Sequence, residues 1–204
     1  MSTRLLFPTR LYEAGIGDTS LIADLEDAIW MLEDGDEAGR AWCEREGYDG
    51  YTSYASLDDL PDRATAFASL KNVLDQQAIA FSKDIGWDLS GRRLNLDSLW
   101  VNVLGEGGTH SGHIHPNSVI SGTAYISTPD GAGALKLEDP RLPMMQAAPP
   151  LKSDPSEDQK RFIYVPPSPG LVLMWESWLR HEVMPNRSED PRLSVSFNYA
   201  LESG

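Results

Sequence analysis

The chain has a single cysteine, Cys43, among its 204 residues. An internal disulfide is therefore excluded, and a lone thiol fits a reducing compartment. Apolar runs are short, and none approaches the roughly 20 residues that a bilayer-crossing helix needs. The opening Met1-Ser2-Thr3-Arg4-Leu5-Leu6-Phe7-Pro8 is too short and too soon broken to read as a signal peptide. Positive charge is scarce: 17 Lys and Arg stand against 31 Asp and Glu, for a net charge of -14, and no basic run gathers them. Phosphate backbones are bound by clustered cations, so no nucleic-acid partner is expected, and no membrane partner either. The expectation is an acidic, soluble, cytoplasmic protein. With 41% hydrophobic residues it can bury a full core, and one domain over residues 1–204 is expected.

Histidine is also rare, with four in all, yet three of them fall within six residues. In His113-Ile114-His115 the imidazoles stand two apart, and on an extended strand such positions share a face. Neutral imidazoles on a stiff element are metal ligands. His181 follows the apolar strand Leu171-Val172-Leu173-Met174-Trp175, which places it at a strand mouth as a third ligand. His110 lies three residues before His113, so strand parity turns it away, toward a supporting or surface position, unless Ser111-Gly112 breaks the strand between them. Arg192, eleven residues past His181, heads Leu193-Ser194-Val195-Ser196-Phe197-Asn198. Its planar fork of donors suits a carboxylate. Parity puts Ser194, Ser196 and Asn198 on its face and Leu193, Val195 and Phe197 on the other. The polar face is either solvated or the wall of a barrel interior, and parity does not choose between them. The outline is a mononuclear metal site with an acidic cosubstrate.

The first half of the chain reads as helical. Asp18-Thr19-Ser20 offers caps to a helix carrying Leu21, Ile22, Leu25, Ile29 and Leu32, which ends at Asp34-Gly35. A polar, Gly-bearing connection follows, with a strand at Tyr51 to Tyr54. A long helix is expected from Pro61 to Ile85, its stripe being Phe67, Leu70, Leu74, Ala78, Phe81 and Ile85. From Leu94 onward short strands alternate with Gly- and Pro-rich turns, which suggests a barrel or sandwich with helices outside. Eight of the fourteen prolines fall between Glu138 and Gly170, so that stretch reads as a lid or a loose insertion.

These residues carry a resemblance. Phe7-Pro8, Gly50-Tyr51, Trp100-x-Asn102, His113-x-His115-Pro116-x-Ser118-x-x-Ser121-Gly122, Glu138-Asp139-Pro140-Arg141, His181 and Arg192-Leu193-Ser194-Val195-Ser196-Phe197-Asn198 resemble the 2-oxoglutarate/Fe(II) dioxygenase superfamily. More closely, they look like its small bacterial and phage branch, and the likeness spans nearly the whole chain. It implies a mainly β fold with flanking helices: a double-stranded β-helix (jelly-roll) core over residues 94–204, supported by a mainly helical 1–93. It implies Fe(II), with 2-oxoglutarate and O2 as cosubstrates, hydroxylation of an unidentified substrate, and release of succinate and CO2. Arg192 would then hold the distal carboxylate of 2-oxoglutarate, with Ser194, Tyr125, Asn102, Ser121 and Asn198 around the cosubstrate.

One departure stands out. The superfamily usually shows His-x-Asp/Glu and a distant His, whereas His115 occupies the carboxylate position here. Three imidazoles could hold the metal; or His115 leads, with Asn117 in the acid's place; or Glu106 or Glu138 swings in. Two rival readings remain. Gly107-x5-His113-x-His115 matches the start of the cupin pattern, a group with three-histidine iron among its thiol dioxygenases. Against it, glutamate is missing at positions 119 and 120, and ten residues separate Gly170 from His181 where the cupin pattern needs two. The other rival is a jelly-roll that binds a metal and a carboxylate without turnover.

Overall fold

The computed structural model describes residues 2–202. The order of elements is β1 (Leu11–Gly15), α1 (Thr19–Gly35), α2 (Glu37–Glu46), β2 (Tyr51–Thr52), α3 (Leu60–Arg63), α4 (Thr65–Asp84), β3 (Arg93–Leu104), β4 (His110–His113), β5 (Ile120–Ser127), β6 (Leu135–Glu138), β7 (Phe162–Val165), β8 (Leu171–Glu176), β9 (His181–Val183) and β10 (Arg192–Glu202). The Asp18 carboxylate caps α1 by accepting from the Ser20 and Leu21 amides, and Asp36 does the same for α2 through Gly39. The polar connection expected after Gly35 is in fact α2. Only Gly39 and Cys43 are buried along it, so it presents no apolar stripe to read. The single helix expected from Pro61 to Ile85 is broken at Ala64, whose extended backbone (φ -146°, ψ 139°) separates α3 from α4.

Two antiparallel sheets face each other. The larger has the order β1-β8-β5-β10-β3-β2 and the smaller β4-β9-β6-β7, the double-stranded β-helix expected of the chain. Period-2 alternation then divides the larger sheet. Its outer face, with Leu99, Val101, Ala124, Val172, Met174, Leu193, Val195 and Phe197, shares one core with Leu25 and Ile29 of α1 and Phe67, Leu70 and Leu74 of α4. Its inner face, with Leu104, Tyr125, Leu173 and Trp175, packs on Leu135, Leu137, Leu179 and Val183 from the smaller sheet and its flank. The alternation of β10 is thereby resolved: its apolar side meets the helices and its polar side turns into the jelly-roll. None of the helices among the described residues is long and apolar enough to cross a membrane.

The Pro-rich stretch holds more structure than a loose insertion. Its end forms β7, which pairs with β6 from Leu135↔Val165 to Glu138↔Phe162. Residues 139–161 between them are mostly exposed and contain two 3-10 turns, Leu142–Met144 and Glu157–Gln159.

Gly122, in the middle of β5, pairs with Phe197 of β10 and Met174 of β8. A Cβ there would run into the Phe197 ring and the Leu173 carbonyl oxygen. Both obstacles lie in the centre of the sheet, where neither can swing aside. Gly122→Ala is expected to lower stability by about 1–3 kcal/mol, the usual range for overpacking. Urea denaturation checks this; an unchanged midpoint would contradict it.

Candidate active site

Four elements bring the site together at the inner face. His113 ends β4 and pairs across the smaller sheet with His181, the first residue of β9. His181 lies beyond the end of β8, as the sequence suggests, and also begins a strand of its own. His115 departs from expectation. It lies past the end of β4, in a loop, and is held by its amide donating to the Ser177 carbonyl (3.0 Å) and by a turn in which the Ser118 amide donates to its own carbonyl (3.2 Å). The two imidazoles converge, therefore, through a strand end and a pinned loop and not through strand parity.

One nitrogen from each of His113, His115 and His181 lies within 4.8 Å of the others. The rings are close, with centroids 4.3 Å apart for His113–His181, 5.0 Å for His113–His115 and 5.2 Å for His115–His181. The second nitrogen of two rings is committed to backbone: His113 Nδ1 to the Ser111 carbonyl (2.7 Å) and His181 Nδ1 to the Leu179 carbonyl (2.9 Å). A carbonyl can only accept, so these nitrogens carry the protons and Nε2 is left as a lone-pair donor, the usual arrangement behind a metal-binding histidine. Burial, reinforced by the neighbouring His113, pushes the His115 pKa down to about 4. Burial also pushes His181 down to about 3, against the opposing pull of the Leu179 carbonyl. Both rings are thus neutral at physiological pH, the form that binds a cation.

Facing them, Arg192 opens β10 and is among the largest fully buried side chains, 2% exposed. Its Nε and Nη1 have no hydrogen-bond partner, and it forms no ion pair among the described residues. Its guanidinium lies over the Tyr125 ring at 5.0 Å. The Thr123 and Tyr125 hydroxyls and the Trp175 indole N–H are buried and unpartnered as well. A buried cation without an anion is costly, and unpartnered buried polar atoms are rare in a native fold. This set fits a ligand that brings its own negative charge and oxygen acceptors.

Of the residues singled out in the sequence, Asn102, His110, His113, His115, His181, Arg192, Ser194 and Ser196 line one cavity, together with Trp100, Thr123 and Trp175. Tyr125 backs Arg192. Ser121 and Asn198 do not line the cavity. Ser121 donates to Asn198 Oδ1 (2.7 Å) and accepts from Ser177 Oγ (2.8 Å), the residue that pins His115. Glu138 lies 3.5 Å from Arg180 across a salt bridge, and Glu106 and Asn117 are exposed; none of the three joins the ligand cluster. No residue between Glu138 and Gly170 lines the cavity; several border a separate groove under residues 5–10.

His110 corrects the parity argument outright. A register shift lies between His110 and His113, and it turns His110 into the cavity. Tyr48, from the segment between α2 and β2, hydrogen-bonds its Nε2. Sequence reasoning missed Tyr48. It lies 62 residues from His110, and the only nearby sign was the pair of glycines around it. Gly47 closes α2 at φ 66° and Gly50 has φ 126°, where a Cβ would strike the Val103 carbonyl of β3.

Residues 98–198 match the model of the family described as "Putative 2OG-Fe(II) oxygenase". That segment is a 2OG-Fe(II) oxygenase domain. Fe(II) and 2-oxoglutarate are the metal and cosubstrate of this family, which makes the protein an oxidoreductase. No protein with a curated description matches it in sequence. Solved structures do match in fold. A prolyl-4-hydroxylase from Pseudomonas putida is 17% identical with a TM-score of 0.64, over 94% of this chain and 93% of that one. AviO1 from Streptomyces viridochromogenes is 18% identical with a TM-score of 0.60, over 94% and 90%. HygX from Streptomyces hygroscopicus, solved with nickel and 2-oxoglutarate bound, is 14% identical with a TM-score of 0.60, over 94% and 82%. At these identities the likeness is one of fold.

The depressed histidines set a pH dependence for the metal-free oxygenase. Unfolding returns His115, His181 and His110 from about 4, 3 and 4 to near their ordinary 6.5. Between these values the unfolded chain binds more protons, so stability is full above about pH 6.5 and falls as pH drops toward 4. Thermal melting of the metal-free protein from pH 7 to 4.5 should show this fall, with a shallower slope for His115→Asn. A flat profile over that range would refute the neutral cluster.

Proposed function

We propose that the protein is an Fe(II)- and 2-oxoglutarate-dependent dioxygenase that hydroxylates a C–H bond of a further substrate, with release of succinate and CO2. Residues 1–93 and 94–204 act as one domain. His113, His115 and His181 hold the metal, and Arg192 grips the distal carboxylate of 2-oxoglutarate. The observation that carries the reading is the buried, unpaired Arg192 in one cavity with the clustered imidazoles of His113, His115 and His181.

The chain's own part is positioning. Backbone carbonyls of Ser111 and Leu179 fix two imidazole tautomers, so the ligand nitrogens need no rearrangement. Ser194, Ser196 and Asn102 continue the polar wall from Arg192, and Asn102 Nδ2 donates to Ser196 Oγ at 3.1 Å. Trp100 and Trp175 exclude water around the histidines: their rings lie 6.1 Å from His115 and 4.7 Å from His181. Bound Fe(II) supplies the activation of O2 that drives oxidative decarboxylation of the keto acid. Three imidazoles bring no negative charge, so a divalent ion here keeps its full charge toward anionic ligands.

The same absence of a carboxylate favours a second reading, in which the jelly-roll binds iron and a dicarboxylate without turnover. Succinate release separates the two. With Fe(II), ascorbate, O2 and 2-oxoglutarate, the dioxygenase yields succinate even slowly without its prime substrate, and a binding protein yields none. Stoichiometric iron retained in a His113→Ala, His181→Ala double variant would overturn the ligand set. Arg192→Lys keeps the charge and loses the fork. It should weaken 2-oxoglutarate binding roughly 10- to 100-fold with iron retained, at one decade per ~1.4 kcal/mol; unchanged affinity would remove Arg192 from its role.

A further inference from the structure

The fourth histidine is left unused by that reading, although it lines the same cavity as Arg192. Its Nε2 is hydrogen-bonded to the Tyr48 phenol, and the two rings lie tilted with centroids 5.4 Å apart. The other neighbour of that phenol, Asn102 Oδ1, is 3.4 Å away and already accepts from Thr52 Oγ1 at 2.9 Å. His110 Nε2 is much the nearer of the two acceptors, so the phenol proton is assigned to it. Burial holds Tyr48 well above the ordinary tyrosine pKa, so it stays a donor. An imidazole that accepts on Nε2 and is uncharged carries its proton on Nδ1. His110 is uncharged: burial first, and then the Arg192 cation, push its pKa down to about 4. No hydrogen bond occupies Nδ1 among the described residues.

The carboxylate proposed for Arg192 has two oxygens and about four lone pairs to satisfy. The free Nε and Nη1 of Arg192 supply two donors. A second cation beside them would repel the guanidinium, whereas a neutral N–H adds a donor with no like-charge penalty. Resting on the reading that this cavity takes 2-oxoglutarate, we infer that His110, with its tautomer set by Tyr48, is a third donor to the distal carboxylate and selects a dicarboxylic keto acid over a monocarboxylic one. Tyr48 acts through His110 and is a positioning residue. The loop after α2, closed by Gly47 and packed on β3 at Gly50, delivers it, so the helical half supports the cavity from behind His110.

Anaerobic calorimetry of the Fe(II)-loaded protein tests this, with 2-oxoglutarate and pyruvate as paired probes because pyruvate lacks the distal carboxylate. His110→Leu is expected to weaken 2-oxoglutarate binding about 10-fold and Tyr48→Phe about 3- to 10-fold, the size of one lost hydrogen bond to a charged group. His110→Asn, whose amide can stand near the Nδ1 position, should recover most of the loss. Pyruvate affinity and iron content should not change in any of the three. Unchanged 2-oxoglutarate affinity in His110→Leu and Tyr48→Phe, with Arg192→Lys still impaired, would overturn the inference and leave the cosubstrate reading standing. Equal loss of both keto acids, or loss of iron, would also overturn it, because His110 would then be shaping the site generally or binding the metal. Wild-type protein that binds no 2-oxoglutarate at all would remove the cosubstrate reading, and this inference with it.

Discussion

Burying the Arg192 guanidinium without an anion is the constraint that organises the rest of the molecule. Removing a cation from water costs several kcal/mol even after relaxation, and no carboxylate among the described residues repays it. The fold tolerates the arrangement because Arg192 is anchored at the start of the central strand. There β10 pairs along its length with β3 on one side and β5 on the other. The Tyr125 ring gives the cation a partial partner. The apolar side of the same strand, with Leu193, Val195, Phe197 and Tyr199, is locked into the core under α1 and α4. Stability contributed on one face thus maintains an electrostatic deficit on the other.

Charge separates the interior from the exterior. The chain carries a net -14, yet its cavity is lined by one arginine and four histidines, and the salt bridges among the described residues lie elsewhere. Acidic side chains in the cavity would repel an anionic cosubstrate, and none of the described residues that line it is acidic. Hydroxyls, amides and indoles line it instead, groups that can hydrogen-bond without neutralising the cation.

Much of this was legible in the sequence. The β10 alternation marked a polar face beginning with a cation, and the apolar stripes of α1 and α4 were read from their period. What the strand period could not supply was the geometry around the histidines. Parity assumes an unbroken ladder, and the ladder is broken twice here: by the register shift that turns His110 inward, and by the end of β4 before His115. In both cases the residue reached the cavity by a route that period-2 reasoning does not contain. Ser121 and Asn198 show the reverse failure. Each has inward parity, but their hydrogen bonds are spent on one another and on the support of the His115 loop. Tyr48 and α2 were invisible for a simpler reason, since nothing local marks a contact made 62 residues away or a helix with an almost wholly exposed surface.

Strand β10 is the last strand in the chain and yet lies near the middle of the larger sheet. Until it arrives, β3 and β5 each hold an open edge, and the outer core lacks Val195, Phe197 and Tyr199. On the ribosome the facing edges of β3 and β5 must therefore wait, with backbone donors and acceptors unpaired, for a segment synthesised about 90 residues after β3. Pairings so distant in sequence close slowly, and exposed edges invite pairing between chains in the meantime. The arrangement that shelters an unpaired cation in the finished protein thus makes folding a late, single event, with chaperone demand concentrated in the interval before it.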